Sequence, residues 1–500
     1  MAEHLINIED AQKNLFSCAT FLAETIGSAE GHAEAMSEIV PLYIAKGDVD
    51  LAAQLADSVN DPFVRDNLLM HVAEKCAAID DDEYAFQLVE AIEDHGTQSM
   101  ARERVALQKS AKNETEKALE IVETLSHPDD AFADIALHQV MEEDETSALQ
   151  TVEKIDFPAS KATALQNIAV HYLKNDKNEK AAEFLELAFE AANEIEYYEE
   201  KIRAFADIAN NFIGIGNKDR AVELFENARI FAERIDGVHR DGFLANISHG
   251  FLRAGNMESA DRTLDLVTDK TQVASTLVGF SQVFWQNDEQ DEAVETLEEA
   301  YAILKSQRDN EIRDSRARFA LLGSVAVQFS KFEKPERAIE IAQENIDEMQ
   351  QLSALSQIAQ VCAAQGKDEI AHQATNAIFE DSTRMFTLIG ISDAKNNAGE
   401  KEKSLEYLNE AATLCETVPQ LASRSEAFNA FAVRFQELGN TEKARAFLNE
   451  NLETIAEIRN ETNRSVKLAQ LALLYEKYDF TLTDKEKAIL KEMVRKAEVF

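Results

Sequence analysis

The stretch Phe205-Ala-Asp-Ile208-Ala209-Asn-Asn-Phe212-Ile-Gly-Ile-Gly216-Asn-Lys-Asp-Arg-Ala221 decides the fold. Its apolar residues Phe205, Ile208, Ala209 and Phe212 stand at offsets 0, 3, 4 and 7, which is one face of an α-helix. The order is large, large, small, aromatic. The small residue lets a neighbouring helix approach, and the aromatic one fills the space beside it. Gly216 suits the left-handed backbone that ends one helix and turns into the next. Ala221, Phe225 and Ala228 then continue at helical spacing, so the stretch reads as an antiparallel helical hairpin.

The hairpin recurs. Gly47-Asp-Val-Asp-Leu-Ala52, Gly255-Asn-Met-Glu-Ser-Ala260, Gly366-Lys-Asp-Glu-Ile-Ala371 and Gly439-Asn-Thr-Glu-Lys-Ala444 repeat the turn. Degenerate copies put Ala85, Ala118, Ala148, Ala181, Ala293, Ala338 and Ser404 at the marker position, and markers are mostly 33 or about 40 residues apart. The longer spacing adds about two helical turns, which lengthens a helix without much rotating its apolar face. A large apolar residue stands sixteen places before each marker, Arg102 being the exception. A second follows three places later in every unit from Ile39 to Leu471, then a small column (Ala73, Ala209, Ser281, Ala359) and usually an aromatic (Tyr43, Tyr172, Phe251, Phe435). Pro62, Pro128 and Pro158 fall where the second helix should stop. One hairpin cannot bury its apolar face alone, whereas a stack can.

In this order of columns and in the Gly-x-x-x-x-Ala turn, the chain resembles the tetratricopeptide repeat family over roughly residues 29–480. It departs in having no Trp in the first large column and Ala or Ser where the family favours Gly. The resemblance implies an all-α, right-handed α-solenoid of about thirteen antiparallel hairpins in units of 33 or about 40 residues. It further implies first helices that line a concave face, and protein–protein binding as the activity. Residues 1–28 and 481–500 read as N-terminal and C-terminal capping helices around this 29–480 array. Ala11, Leu15, Cys18, Leu22 and Ile26 have the spacing of a lone second helix. Lys485, Lys487, Lys491, Arg495 and Lys496 mark the polar side of the final one.

Composition narrows the function. Only 16 Gly and 6 Pro in 500 residues disfavour a turn-rich β-fold. The charge balance, 93 acidic against 50 basic residues and a net charge of −43, repels nucleic acid and anionic lipid. No partner nucleic acid and no membrane insertion are therefore expected, and no stretch approaches the length of a membrane-spanning helix. Cys18, Cys76, Cys362 and Cys415 lie far apart without a C-x-x-C pair, so they read as core residues rather than metal ligands or disulfides. Ten scattered histidines and the absence of nucleophile or phosphate-loop motifs point to no catalytic site, no metal and no cofactor. With no basic, apolar leader at its start, the chain is expected to be cytoplasmic.

Two charged or polar columns remain. Arg65, Lys161, Lys201, Arg240, Arg318, Arg384, Arg424 and Arg464 each stand four residues before the first large column, where a cation meets the C-terminal carbonyls of the preceding second helix. The other column lies five residues after the first large one, on the flank expected to face the groove. It is apolar in several units but reads Asn210, His249 and Gln282 in three consecutive ones. Arg203, Arg253, Trp285 and Gln286 stand beside these at helical offsets, and Trp285 is the only Trp. Arg, Trp and His among amides resemble a recognition surface. The expected function is a non-catalytic scaffold or adaptor that holds an extended protein segment on these seven residues. Self-association through the long second helices after Ala181, Ala221, Ala293 and Ala444 is the rival reading, and a ligand-sensing or enzymatic role ranks third.

Overall fold

The computed structural model describes residues 4–306 and 315–498; the outer ends of the two terminal segments, 1–3 and 499–500, lie outside them, as does 307–314. The described residues form helices and no strand. In chain order they are α1 (Ile8–Ala11), α2 (Leu15–Glu24), α3 (Ala29–Lys46), α4 (Val49–Asp57), α5 (Pro62–Ala78), α6 (Asp82–Ala91), α7 (His95–Ala111), α8 (Thr115–Val122), α9 (Asp129–Met141) and α10 (Glu145–Val152). There follow α11 (Pro158–Lys174), α12 (Asn178–Glu194), α13 (Tyr198–Gly214), α14 (Lys218–Ala232), α15 (Val238–Arg253), α16 (Met257–Leu264), α17 (Lys270–Gln286), α18 (Gln290–Ser306) and α19 (Ser315–Lys331). The remainder are α20 (Pro335–Glu344), α21 (Glu348–Ala364), α22 (Asp368–Asn376), α23 (Asp381–Asn397), α24 (Lys401–Cys415), α25 (Leu421–Glu437), α26 (Thr441–Glu457), α27 (Glu461–Lys477) and α28 (Asp484–Ala497). From α3 onward, odd numbers are first helices and even numbers second helices.

In several units the turn from first to second helix follows one recipe. Gly216 takes φ 81°, and the following Asn217 accepts the Arg220 N–H to open α14. Where no glycine is available, Asp80, Asn113, Glu143, Asp176, Asp288 and Glu333 adopt the left-handed conformation instead, four of the six having the short polar side chains that tolerate it best. Pro62 and Pro158 occupy the first turn of the next first helix, where a missing N–H costs nothing. Second helices come in two lengths. α4, α6, α8, α10, α16, α20 and α22 have 8 to 10 residues; α12, α14, α18, α24 and α26 have 15 or 17. The seven-residue insertions in the repeat thus appear as two extra helical turns.

The columns form the core. The second large column and the small column are buried throughout, as are the markers from Ala52 to Ala444. At the exception, Ala101 is the buried residue and Arg102 reaches out to Glu90 at 2.7 Å. The cationic column also acts structurally: Lys201 donates to Asn193 O and Arg318 to Leu304 O, in the last turns of α12 and α18. Arg464 reaches Ile458 O just beyond α26, while Arg240 reaches Leu266 O after the second helix that follows it. A further link joins successive hairpins. The buried carboxylate of Asp66 accepts the N–H groups of Glu93 and Asp94, that of Asp129 those of Asp156 and Phe157, and that of Asp241 those of Thr268 and Asp269. Each ties a first helix to the turn that opens the next one.

The chain divides into two compact bodies. Residues 110–362 with 368–374 form a central body. In it the first helices α9, α11, α13, α15, α17 and α19 each lie against the next, as one layer. Residues 1–109, 363–367 and 375–500 form a terminal body. There α2 packs along α27 and against α3, while α27 also meets α3. α28 lies against α26, α2 and α1. The partner of the last first helix is therefore the N-terminal helix. Phe16 meets Tyr43 with ring centroids 4.6 Å apart, Thr20 shares a 2.9 Å hydrogen bond with the Tyr43 hydroxyl, and Thr462 donates to Gly31 O at 3.2 Å. A Cβ on Gly31 would lie 2.8 Å from the Thr462 hydroxyl, so this approach requires glycine.

Candidate functional site

The seven residues singled out in the sequence lie on three adjacent first helices of the central body: Arg203 and Asn210 on α13, His249 and Arg253 on α15, and Gln282, Trp285 and Gln286 on α17. Arg253 donates to the Asn210 side-chain oxygen at 2.9 Å, and Asn210 donates in turn to Ala206 O within its own helix. Arg203 lies 5.6 Å from the Phe243 ring centroid of α15. His249 stacks over Phe280 at 6.4 Å. A Cβ on Gly279 would come within 3.2 Å of its imidazole, so glycine there lets α17 close on α15. Burial first, and the Arg253 charge second, hold the His249 pKa below its ordinary value, and the ring is neutral at pH 7.

Trp285 behaves differently. Its ring stacks on Phe332 with centroids 4.5 Å apart and planes 18° from parallel, and it is half-buried. Gln286 is exposed. Gln282 donates to the Gln328 side chain of α19 at 3.2 Å and so leads away from the arginines. That contact lies at the rim of a cavity of about 270 Å³ between α17, α19 and α21. Gln282, Gln328, Gln350 and Gln357 line it, with Ser324, Ser353 and Lys331, and no carboxylate. In a chain with 93 carboxylates this wall has a distinct character. Of the seven residues only Gln282 belongs to it. The amides of α19 and α21 escaped the sequence reading because Gln328 stands one place beyond the column that picked out Gln282.

The arginines have an electrostatic setting of their own. Arg220, Arg229 and Arg240 each bind a carboxylate. Arg203 and Arg253 form no ion pair among the described residues, and Arg253 has a neutral amide as its partner. Asp207, one turn from Arg203, is pushed up by burial and only partly drawn back by that guanidinium. Burial likewise raises the thiol of Cys18 to about 12, and those of Cys76 and Cys415 to about 11, which disfavours the thiolate. Among the described residues no cluster of His, Cys, Asp and Glu could hold a metal, and no helix is long and apolar enough to cross a membrane.

No family model matches the sequence, and no curated protein matches it. Several solved structures are similar to it at low identity. RapI in its apo form is 14% identical with a TM-score of 0.30, the match covering 76% of this chain and 97% of that one. Ton1535 from Thermococcus onnurineus is 15% identical with a TM-score of 0.25, covering 71% and 98%. A tetratricopeptide repeat protein from Parabacteroides merdae is 12% identical with a TM-score of 0.24, covering 55% and 98%. Superpositions this loose bear on neither function nor partner. The chain's own hairpins, left-handed turns and buried large–large–small–aromatic columns make it an all-α, tetratricopeptide-like repeat protein.

Proposed function

We propose that this protein is a non-catalytic scaffold whose central body holds an extended, acidic protein segment across α13, α15 and α17. The observation that carries this reading is the pair Arg203 and Arg253, two exposed guanidiniums on adjacent first helices that form no ion pair among the described residues, in a chain of net charge −43. Acidic side chains complement them through charge-assisted hydrogen bonds. A segment lying across the helices meets one residue set per hairpin: Arg203 with Asn210, then His249 with Arg253, then Gln282 with Trp285 and Gln286. The amide-lined cavity beyond Gln282 offers donors and acceptors to a backbone that continues past α17.

The test begins with affinity purification and mass spectrometry to name a partner. Its affinity is then measured for wild type and for Arg203→Ala with Arg253→Ala, while Trp285 emission is followed. A loss of about tenfold or more, with a Trp285 response in wild type, supports the site; equal affinities with unmoved emission place binding elsewhere. Self-association through the long second helices has less support. Among the described residues, Leu187 on α12 and Ile230 on α14 are the only exposed large apolar side chains on α12, α14, α18 and α26, so they make no stripe. Sedimentation that depends on concentration would favour it nevertheless.

A further inference from the structure

Large apolar side chains on a soluble surface are ordinary when scattered. Here they are not scattered. Among the described residues, every one at least 60% exposed (Phe63, Phe157, Tyr197, Ile346, Met349 and Phe379) lies in the turn into a first helix or in that helix's first turn. In the central body two of these turns are consecutive. Phe157 precedes α11 and is 64% exposed; Tyr197 precedes α13 and is 72% exposed. The backbone at Phe157 is fixed, because its N–H binds the buried Asp129. Tyr198 beside Tyr197 packs on Phe231 at 5.3 Å and anchors the second turn. Both exposed rings therefore stand on turns that are anchored to the fold.

Their surroundings are acidic. Asp156, Glu194, Glu196 and Glu200 are exposed and form no ion pair among the described residues. The nearby cations are already engaged: Lys161 with Glu153 at 2.9 Å, and Lys201 with Asn193 O at 2.9 Å. An apolar contact ringed by unpaired carboxylates fits a segment with apolar side chains flanked by Lys or Arg. We propose that the edge formed by the turns at 153–158 and 193–200 docks a basic protein segment through two apolar anchors, one on Phe157 and one on Tyr197. This does not rest on the arginine site, which calls for the opposite charge. α11 lies against α13, and packed helices are about 8–10 Å apart. An extended chain advances about 3.3 Å per residue, so the two anchors stand about three residues apart.

The experiment uses the whole chain and a random peptide display library. The library is selected on wild type with counter-selection on Phe157→Ser with Tyr197→Ser, whose exposed positions leave the fold in place; melting of the variant checks this. Peptides rich in Lys or Arg, with apolar residues about three apart and binding the variant at least tenfold more weakly, support the proposal. For the best peptide, Glu194→Gln with Glu196→Gln and Glu200→Gln should weaken binding at low salt and flatten its salt dependence. Failure to enrich any peptide that distinguishes wild type from the serine variant overturns the proposal. So does enrichment of acidic peptides, or a wild-type dimer in sedimentation that the serine variant abolishes, since the occupant would then be a second copy.

Discussion

The hairpin α11–α12 and the pairing α2–α27 solve one packing problem with different connectivity. In the first, three residues, Asn175 to Lys177, join the helices, and Tyr172 meets Phe184 with centroids 5.4 Å apart. In the second, the partners lie near opposite ends of the sequence, and Phe16 and Thr20 of α2 also meet Tyr43 of α3 beside them. Loop-closure entropy grows only logarithmically, yet bridging most of the chain costs an unfolded polypeptide about 4 kcal/mol more than closing a three-residue turn. Side-chain packing, with the hydrogen bonds around it, must offset that difference. The comparison shows that a hairpin unit is defined by its buried columns and not by its turn.

Removing residues 1–28 tests this most severely. The expected loss exceeds that of any single substitution: α27 should lose amide protection across 461–477 while α11 and α12 keep theirs. Equal protection of α27 with and without the segment would show that the end-to-end pairing adds nothing. Next in size, Phe21→Ala in α2 and Phe184→Ala in α12 each remove a fully buried ring and should each cost about 3–5 kcal/mol in denaturant unfolding. A much smaller loss for Phe21 would mark the end-to-end contact as the looser of the two. Ala209→Phe in α13 and Ala472→Phe in α27 overpack the small column, at about 1–3 kcal/mol each; unchanged melting would place that column at the surface.

The carboxylate links add a pH term. Burial alone would raise Asp241, but hydrogen bonds from the Thr268 hydroxyl and the Asp269 and Thr268 N–H groups, with Arg240 beside it, bring its pKa below the ordinary value. A depressed carboxylate stabilises the fold fully above its unfolded pKa of about 3.9, and the contribution fades as pH falls through the lower folded value. Asp241→Ala should cost about 1–3 kcal/mol at pH 7 and flatten the acid limb of a stability–pH curve as pH falls below the ordinary carboxylate range. An acid limb parallel to wild type would refute the link. The smallest effect is expected for Arg203→Ala with Arg253→Ala, within about 0.5 kcal/mol of wild type, because neither side chain fills a packing column.

Much of this was legible in the sequence. Phe205, Ile208, Ala209 and Phe212 defined a first helix, Gly216 its turn, and the added seven residues the long second helices after Ala181, Ala221, Ala293 and Ala444; α24, after Ser404, is a fifth long helix that the reading did not name. The pairing of α2 with α27 was not legible, because periodicity reports which face of a helix is apolar but not which distant helix covers it. At the marker position of the last hairpin stands Asp484, where the other units carry Ala or, at 404, Ser. For the proposed site, the column reading picked out Asn210, His249 and Gln282, with Arg203, Arg253, Trp285 and Gln286 as their neighbours. It could not foresee that Trp285 would stack on Phe332, or that Gln282 would turn toward Gln328, since both depend on the spacing between neighbouring hairpins.

The fastening of α2 onto α27 has a consequence for how such an array can change over generations. The faces of α27 where one more hairpin would stack are occupied by α2 and α3. Duplicating a terminal repeat would displace them, so this row can gain or lose hairpins only by insertion or deletion within it.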